Sequence, residues 1–423
     1  MLKTAYEPPG DSGLWQLFLE NLERTLHHTR THPATVEYLI HPRRTLTLSV
    51  PVRMDDGTVR FFTGYRVVHN IARGPSKGGV RYHPAVTMGE TVGLAAWMTL
   101  KCGVFRLPYG GAAGGVAVDP RELSPRELER LSRRYVAELV DVIGPDSDIL
   151  GPDLGTDERV MAWFMDTYSM TKGYTSPGVV TGKPLQLGGT AGRGDAAGRG
   201  IVYVLEETAR RSGHPFKGAT VAVQGFGKVG RTAAGLLHQA GLKVVAVSTR
   251  TVGVYNPKGL DIPDVARYYQ ENGFLQGYPG AEEISNDELL ALEVDYLIPA
   301  AFENVVHREN AREVRAKVVI EGANAPLTGE ADEILRERGV LVVPDIVANG
   351  GGVVVSYLEW VQNFSMFFWT EAEVQQKLRE VMQRTLDEVW SIAERDKIDL
   401  RLAAYVLSVT RINEATKLRG VYP

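Results

Sequence analysis

The chain has one cysteine, Cys102, in 423 residues. An internal disulfide is excluded, and with it the stapled scaffold of small secreted domains; a single thiol in so long a chain fits a reducing compartment. Excess positive charge is missing as well. Lys and Arg number 47 against 51 Asp and Glu, a formal net charge of -4, and no basic stripe appears locally, so the chain carries no electrostatic footprint for nucleic acid. No uncharged apolar run reaches the ~20 residues of a membrane span, and the opening MLKTAYEPPGDSGLW has no apolar signal-like core. The expectation is a soluble, cytoplasmic protein with neither membrane nor nucleic acid as a partner. What is present, 44% apolar and 23% charged residues without repeats or low-complexity tracts, describes an ordinary globule long enough for two or three domains.

The first half mixes helices with hairpins. Leu14, Leu17, Leu22 and Leu26 recur at near-helical spacing within residues 11 to 29, while Thr45 to Val52 alternates and Asp56-Gly57 offers a hairpin turn. Ser124-Pro125-Arg126-Glu127 is a helix start, with Ser as N-cap, Pro at N1 and Glu at N3, and opens an amphipathic run expected to end near Ile143-Gly144. From about 200 to 350 short β-branched runs alternate with helical stretches: ATVAVQ, KVVAVST, DYLIPA, AKVVIEG and GVLVVPD. That is the pattern of a parallel sheet with crossover helices, so the fold class is α/β. After Ser356 the chain is helical again. The crowding of Tyr357, Trp360, Phe364, Phe367, Phe368 and Trp369 there reads as core packing or a subunit contact.

Gly225-Phe226-Gly227-Lys228-Val229-Gly230 is a GxGxxG placed directly after a strand-like run and before a helical one. In that setting the glycines permit a tight turn and let a pyrophosphate approach the backbone N–H groups at the helix start. The acid expected about 20 residues later, to hold the ribose hydroxyls, is absent: the second strand runs into Thr249-Arg250. Other patterns carry no chemistry. Gly74-Pro75-Ser76-Lys77-Gly78 matches a nucleophile elbow in letters, yet a strand-like GVRYHP follows it instead of a helix. Gly192-Arg193-Gly194-Asp195-Ala196-Ala197 resembles a second dinucleotide loop but lacks a preceding strand, and His28 and His32, four apart, have no carboxylate partner; no metal is expected.

The segments GPSKGGVRYHP, AAWMTLKCG, LPYGGAAGGVAVDP, GPDLGTDERVMAWFMDTYS, TGKPLQLGGTAGRGDAAGRG, VQGFGKVG, PAAFEN, EGANAP and PDIVANGGGVVVSYLEWVQN make the chain resemble the glutamate dehydrogenases, within the Glu/Leu/Phe/Val dehydrogenase superfamily, over almost its whole length. The resemblance implies an α/β substrate-binding and oligomerisation domain formed by both chain ends (1–190 and 356–423), a Rossmann-type NAD(P)-binding domain between them (191–355), an active cleft at their junction, and a hexamer. It assigns Lys77 and Ser356 to the substrate side-chain carboxylate, Lys101 to the α-carboxylate and Asp153 to proton exchange with the amino group. Gly225, Phe226, Gly227, Val229, Gly230, Thr249 and Asn349 fall to the cofactor, NAD or NADP.

Three positions depart from the family. Its glycine-rich loop reads GGAKGG, with a lysine that activates water and stabilises the developing oxyanion; here Ala113 stands in GGAAGG. Ala197 replaces a threonine that hydrogen-bonds the nicotinamide amide, and Thr249 replaces the ribose-binding aspartate of NAD-dependent relatives. The expectation is a regulatory, catalytically impaired subunit with weak or vestigial cofactor binding. It would assemble with a catalytic paralogue in a hetero-oligomer and respond to an amino-acid effector such as leucine. The alternative is an active NAD(P)-dependent glutamate dehydrogenase with a substitute base, in which Arg250 takes a 2′-phosphate.

Overall fold

Two sheets organise the chain. In the computed structural model, which describes residues 2, 5–10 and 12–420, one unit comprises Met1–Arg193, Val353–Val374 and Tyr405–Pro423, the other Gly194–Gly352 and Gln375–Ala404. The sequence reading placed all of 356–423 with the first unit. Residues 375–404 pack instead with the second, a distinction that helical periodicity cannot make because it says nothing about which core a helix covers.

The first unit begins with α1 (Gly13–Leu26) and α2 (Pro33–Ile40). The face α1 buries includes Trp15, Phe18 and Leu22; of the expected stripe Leu22 is buried, while Leu14, Leu17 and Leu26 are half-buried, and Asp11, inside that expected run, lies outside the described residues. The helix stops at Leu26, and His32 caps α2 by accepting the Ala34 N–H on Nδ1 at 3.2 Å, so His28 and His32 share no helix face. β1 (Arg44–Arg53) and β2 (Val59–Asn70) form the hairpin, turned at Gly57 with φ +88°. β3 (Ser76–Tyr82), α3 (Met88–Val104), β4 (Gly110–Val116), α4 (Pro125–Ala137), β5 (Asp148–Pro152) and α5 (Glu158–Lys172) follow. The capping box at Ser124 and Glu127 opens α4, but the helix ends at Ala137, short of the expected Ile143. The sheet order is β1-β2-β4-β3-β5, with β4-β3-β5 parallel.

The second unit contains α6 (Ala196–Ser212), β6 (Thr220–Gln224), α7 (Lys228–Gln239), β7 (Lys243–Ser248), β8 (Gly253–Tyr255), α8 (Ile262–Asn272), β9 (Glu282–Ile284), α9 (Asn286–Leu290), β10 (Tyr296–Pro299), β11 (Val318–Ile320), α10 (Gly329–Glu337), β12 (Leu341–Val343) and α11 (Asp345–Ala348). All five expected strands appear, as β6, β7, β10, β11 and β12, and they are parallel in the order β12-β11-β10-β6-β7. Two short antiparallel strands, β8 and β9, extend the β7 edge; at three residues each they are too brief to show alternation. The chain closes with α12 (Gly351–Ser365), α13 (Glu371–Asp396) and α14 (Leu400–Arg419).

The aromatic cluster after Ser356 divides. Tyr357 and Trp360 pack edge-on against Tyr109 at 5.8 and 5.2 Å between ring centres, whereas Phe364, Phe367 and Phe368 are exposed. Among the described residues no helix is long and apolar enough to cross a membrane.

Candidate functional site

Glycine sets the close approach of the strands and helix around Lys77 and Lys101. A Cβ at Gly78 would lie 1.6 Å from the Ala112 carbonyl oxygen and one at Gly111 2.2 Å from the Thr99 nitrogen, so β3, β4 and α3 can pack at this spacing only with hydrogen side chains. Gly78 and Gly111 are therefore structural in origin, and their effect is to let β3, β4 and α3 approach closely.

Lys77 on β3 is buried, and its ammonium donates to the Leu150 carbonyl of β5 at 3.2 Å. A Cβ at residue 151 would fall 2.4 Å from Nζ, so Gly151 leaves the room the ammonium occupies. Burial, then the neighbouring Arg193 and Arg66 charges, pull Lys77 down to about 7 against the opposing pull of Glu359. Lys101, near the end of α3, is also buried. Both lysines lie within electrostatic reach of the buried Cys102 thiol, which burial pushes up to about 12 while Lys77, Arg73 and Lys101 draw it down.

Ala113 lies on β4, buried, opposite Val67 of β2. Alternation puts it on the strand face of Gly111 and Gly115, whose Cβ positions meet Thr99 and Val86. That is the α3 side, and Ala113 brings no ionisable group to it. Asp153 follows β5. Its carboxylate takes Arg81 Nε at 3.3 Å and the Leu154 N–H at 2.8 Å, and Arg81 holds Glu90 at 2.5 Å. Gly79 admits this arrangement, since a Cβ there would stand 2.8 Å from the Asp153 Cβ.

Ser356 is buried on α12, one turn before Glu359. The fully buried Glu359 carboxylate takes the Gly182 N–H at 2.9 and 3.0 Å and Lys183 Nζ at 2.6 Å, which ties the TGKP segment to α12. Glu359 is thus committed to Lys183, and Lys77 lies within electrostatic reach of Arg193, Arg66 and Glu359.

Sequence reading missed several contributors. Arg66 on β2 meets Asp148 of β5 at 2.8 and 2.5 Å with both side chains buried, and Ser76 Oγ donates to the same carboxylate at 2.7 Å. The Thr181 hydroxyl and Arg193 Nε are buried without hydrogen-bond partners among the described residues, and Thr181 Oγ1 lies 3.4 Å from the Cβ position of Gly151, beside Lys77. No local spacing marks these residues, because their partners are supplied by the fold.

The second unit holds the glycine turn. Gly225 has φ +96° and its Cβ would meet the Ala300 oxygen at 2.8 Å, and at Gly230 a Cβ would sit 1.8 Å from the Gly225 oxygen. At Gly227 nothing lies within 4 Å of the Cβ position. Two glycines thus serve the turn and the third keeps the approach to the α7 N-terminus open, which fits a pyrophosphate. Phe226 is buried against Tyr269, ring centres 5.7 Å apart, and Val229 lies in the first turn of α7. Ser248 at the end of β7 braces the turn, accepting the Gly225 N–H at 3.3 Å. Thr249 is turned back on its own loop, donating to the Val252 carbonyl at 3.2 Å, while Arg250 is exposed. Asn349 Nδ2 donates to the Ala323 carbonyl at 3.1 Å, and Ala197 is half-buried at the start of α6.

The model of the Glutamate/Leucine/Phenylalanine/Valine dehydrogenase family matches residues 188–420, and that of the Glu/Leu/Phe/Val dehydrogenase dimerisation domain matches 42–170. The chain belongs to the Glu/Leu/Phe/Val dehydrogenase family. Among family members, a glutamate dehydrogenase of Thermotoga maritima is 51% identical over 414 residues, 98% of this chain and 100% of the relative. The NADP-specific glutamate dehydrogenase of a Synechocystis species is 47% identical, covering 95% of this chain and 96% of its own. The leucine-bound crystal structure of the hetero-hexameric glutamate dehydrogenase from Thermus thermophilus superposes with a TM-score of 0.96 at 55% identity, over 99% of this chain and 100% of that one. The family's two-domain α/β architecture, a dimerisation and substrate domain followed by a nucleotide-binding domain, is the one seen here.

Proposed function

We propose that the chain is a regulatory, catalytically impaired subunit of a glutamate dehydrogenase complex, supporting a catalytic paralogue that converts L-glutamate to 2-oxoglutarate and ammonia. The observation that carries this reading is Ala113. A lysine on this buried strand position would exchange protons with water and stabilise the oxyanion; an alanine can do neither, and loss of a general acid/base alone removes ~10² to 10⁴ in rate. The remaining residues bind and orient. Lys77 and Ser356 take the side-chain carboxylate, Lys101 the α-carboxylate, and Asp153, held by Arg81, faces the amino group.

The glycine turn would hold NAD or NADP, which when bound accepts hydride from the amino-acid Cα. Its hold is weak in this chain, since Thr249 offers one hydroxyl, already engaged by its own loop, in place of a carboxylate. Support for a hetero-oligomer with a catalytic partner, and for an amino-acid effector, comes from the hetero-hexameric, leucine-bound Thermus relative. A second reading, an active enzyme with a substitute base, draws on one observation: Lys77, lowered to about 7, can accept a proton at neutral pH.

The test is to assay the purified chain with glutamate and each nucleotide, alone and then mixed with the paralogue, with and without leucine. Alone, turnover falls at least 10²-fold below the ~10 s⁻¹ median of enzymes, and Ala113→Lys by itself restores little because Ala197 and Thr249 remain. Turnover within tenfold of that median overturns the regulatory reading.

A further inference from the structure

Arginines that hold carboxylates are spread along this chain. Arg66, Arg81, Arg133, Arg211 and Arg401 each hold a carboxylate, as expected for guanidinium groups in a chain of slightly negative net charge. One cavity gathers three arginines that hold none. A cavity of about 410 Å³ in the first unit is lined by Arg43 and Arg44 at the start of β1, Arg419 at the end of α14, and Asp146 and Ser147 before β5. Among the described residues none of the three arginines has an ion-pair partner and the Ser147 hydroxyl has no hydrogen bond. The cavity wall also includes Asp148, but its charge is already neutralised by Arg66. Three arginines and one uncommitted carboxylate therefore line it, a local surplus of two positive charges from elements far apart in sequence.

We propose that this cavity is an anion site for a phosphate-bearing small molecule, separate from the Lys77 pocket and from the glycine turn. Planar guanidinium forks match phosphate oxygens two at a time, and a dianion balances the surplus that Asp146 leaves. The volume falls in the range of small-molecule sites and exceeds what one phosphate group fills, which favours a diphosphate. The site has a mechanical link to the substrate side: Gly74 and Pro75 line it, and the next residue, Ser76, donates its N–H to Ser147 at 2.9 Å and its hydroxyl to Asp148 at 2.7 Å, one position before Lys77.

The experiment uses the full chain and inorganic pyrophosphate as the probe, with inorganic phosphate and a nucleoside diphosphate as comparison arms, titrated calorimetrically at low and at 0.15 M salt. We expect pyrophosphate to bind more tightly than phosphate, with affinity falling at the higher salt. Arg44→Gln and Arg419→Gln should each raise Kd at least about tenfold, the loss of one charge-assisted contact, while Arg250→Gln beside the glycine turn leaves it unchanged. A nucleoside diphosphate that binds no tighter than pyrophosphate identifies the bare phosphates as the recognised group; one that binds tighter, with the same loss in both variants, places the nucleoside in the cavity too. Sensitivity to Arg250→Gln alone would put the anion in the nucleotide-binding unit and overturn the proposal. So would undiminished binding in both variants, or variants that bind normally but sediment at a lower mass, which would assign the arginines to a subunit contact.

Discussion

The Lys77 pocket of the first unit is made by side chains, and the Gly225–Gly230 turn of the second by backbone. In the pocket each function belongs to one group: an ammonium 3.2 Å from a carbonyl, a carboxylate held by Arg81, a buried alanine. A single substitution there removes a chemical group outright. In the turn the groups on offer are backbone N–H donors that every residue carries, and the glycines only shape their path, so the form of the turn does not depend on which side chains stand at 249 and 197. A chain can thus lose catalysis at one position and keep a recognisable nucleotide fold.

The sharpest way to test the contrast is to strike the support of each region. Arg66 and Asp148 are 1% and 2% exposed and joined by two hydrogen bonds. Arg66→Met leaves Asp148 buried and uncompensated, and removal of one partner of such a pair costs about 3 to 5 kcal/mol. Chemical denaturation should show that loss. Lys228→Met, on the exposed first turn of α7, should change stability by no more than about 0.5 kcal/mol. Equal losses would show that the pocket is no more dependent on side chains than the turn.

A second test concerns charge. Lys77 is lowered from 10.5 to about 7 by burial first and by Arg193 and Arg66 next. The sign is that of a depressed base: between about pH 7 and 10.5 the folded chain binds fewer protons here than the unfolded one, so this residue's contribution to stability rises with pH across that window. A ligand carboxylate reverses the effect by favouring the ammonium. Binding of 2-oxoglutarate should take up a proton, and its Kd should rise up to about tenfold per pH unit above 7, one pKa unit being ~1.4 kcal/mol. Calorimetry in buffers of different ionisation heat reads both quantities. A Kd flat from pH 7 to 9 would mean that no carboxylate reaches Lys77.

How far the sequence carries depends on whether a feature is local. The five parallel strands, the capping box and the glycine turn were legible because each is written in consecutive residues. Lys77, Lys101 and Asp153 were reached by resemblance through segments such as GPSKGG and GPDLGT. Arg66 with Asp148, Thr181 and Arg193 were not, because their partners are 82 residues away in one case and are set by strand order β4-β3-β5 in general. Residues 375–404 were assigned to the wrong unit for a related reason: amphipathicity shows that a helix has a buried face, and the tertiary fold decides what buries it.

The smallest effect bears on the turn itself. At Thr249 the hydroxyl donates to the Val252 carbonyl at 3.2 Å and the Thr249 carbonyl accepts from Asn286 Nδ2 at 3.1 Å, so the loop after β7 is closed on itself and the position offers little to a ribose. Thr249→Asp gives up the bond to Val252, which a carboxylate cannot make, and supplies an acceptor for ribose hydroxyls. A charge-assisted bond contributes about 1.5 to 3 kcal/mol against roughly 1 for a neutral one, a net gain of ~1 kcal/mol or about fivefold in NAD affinity. NADP should not gain, because the new carboxylate opposes the 2′-phosphate that exposed Arg250 can otherwise attract. Titration of both nucleotides against the parent and the variant measures the difference. If NAD and NADP tighten together, or neither changes, ribose recognition does not pass through residue 249.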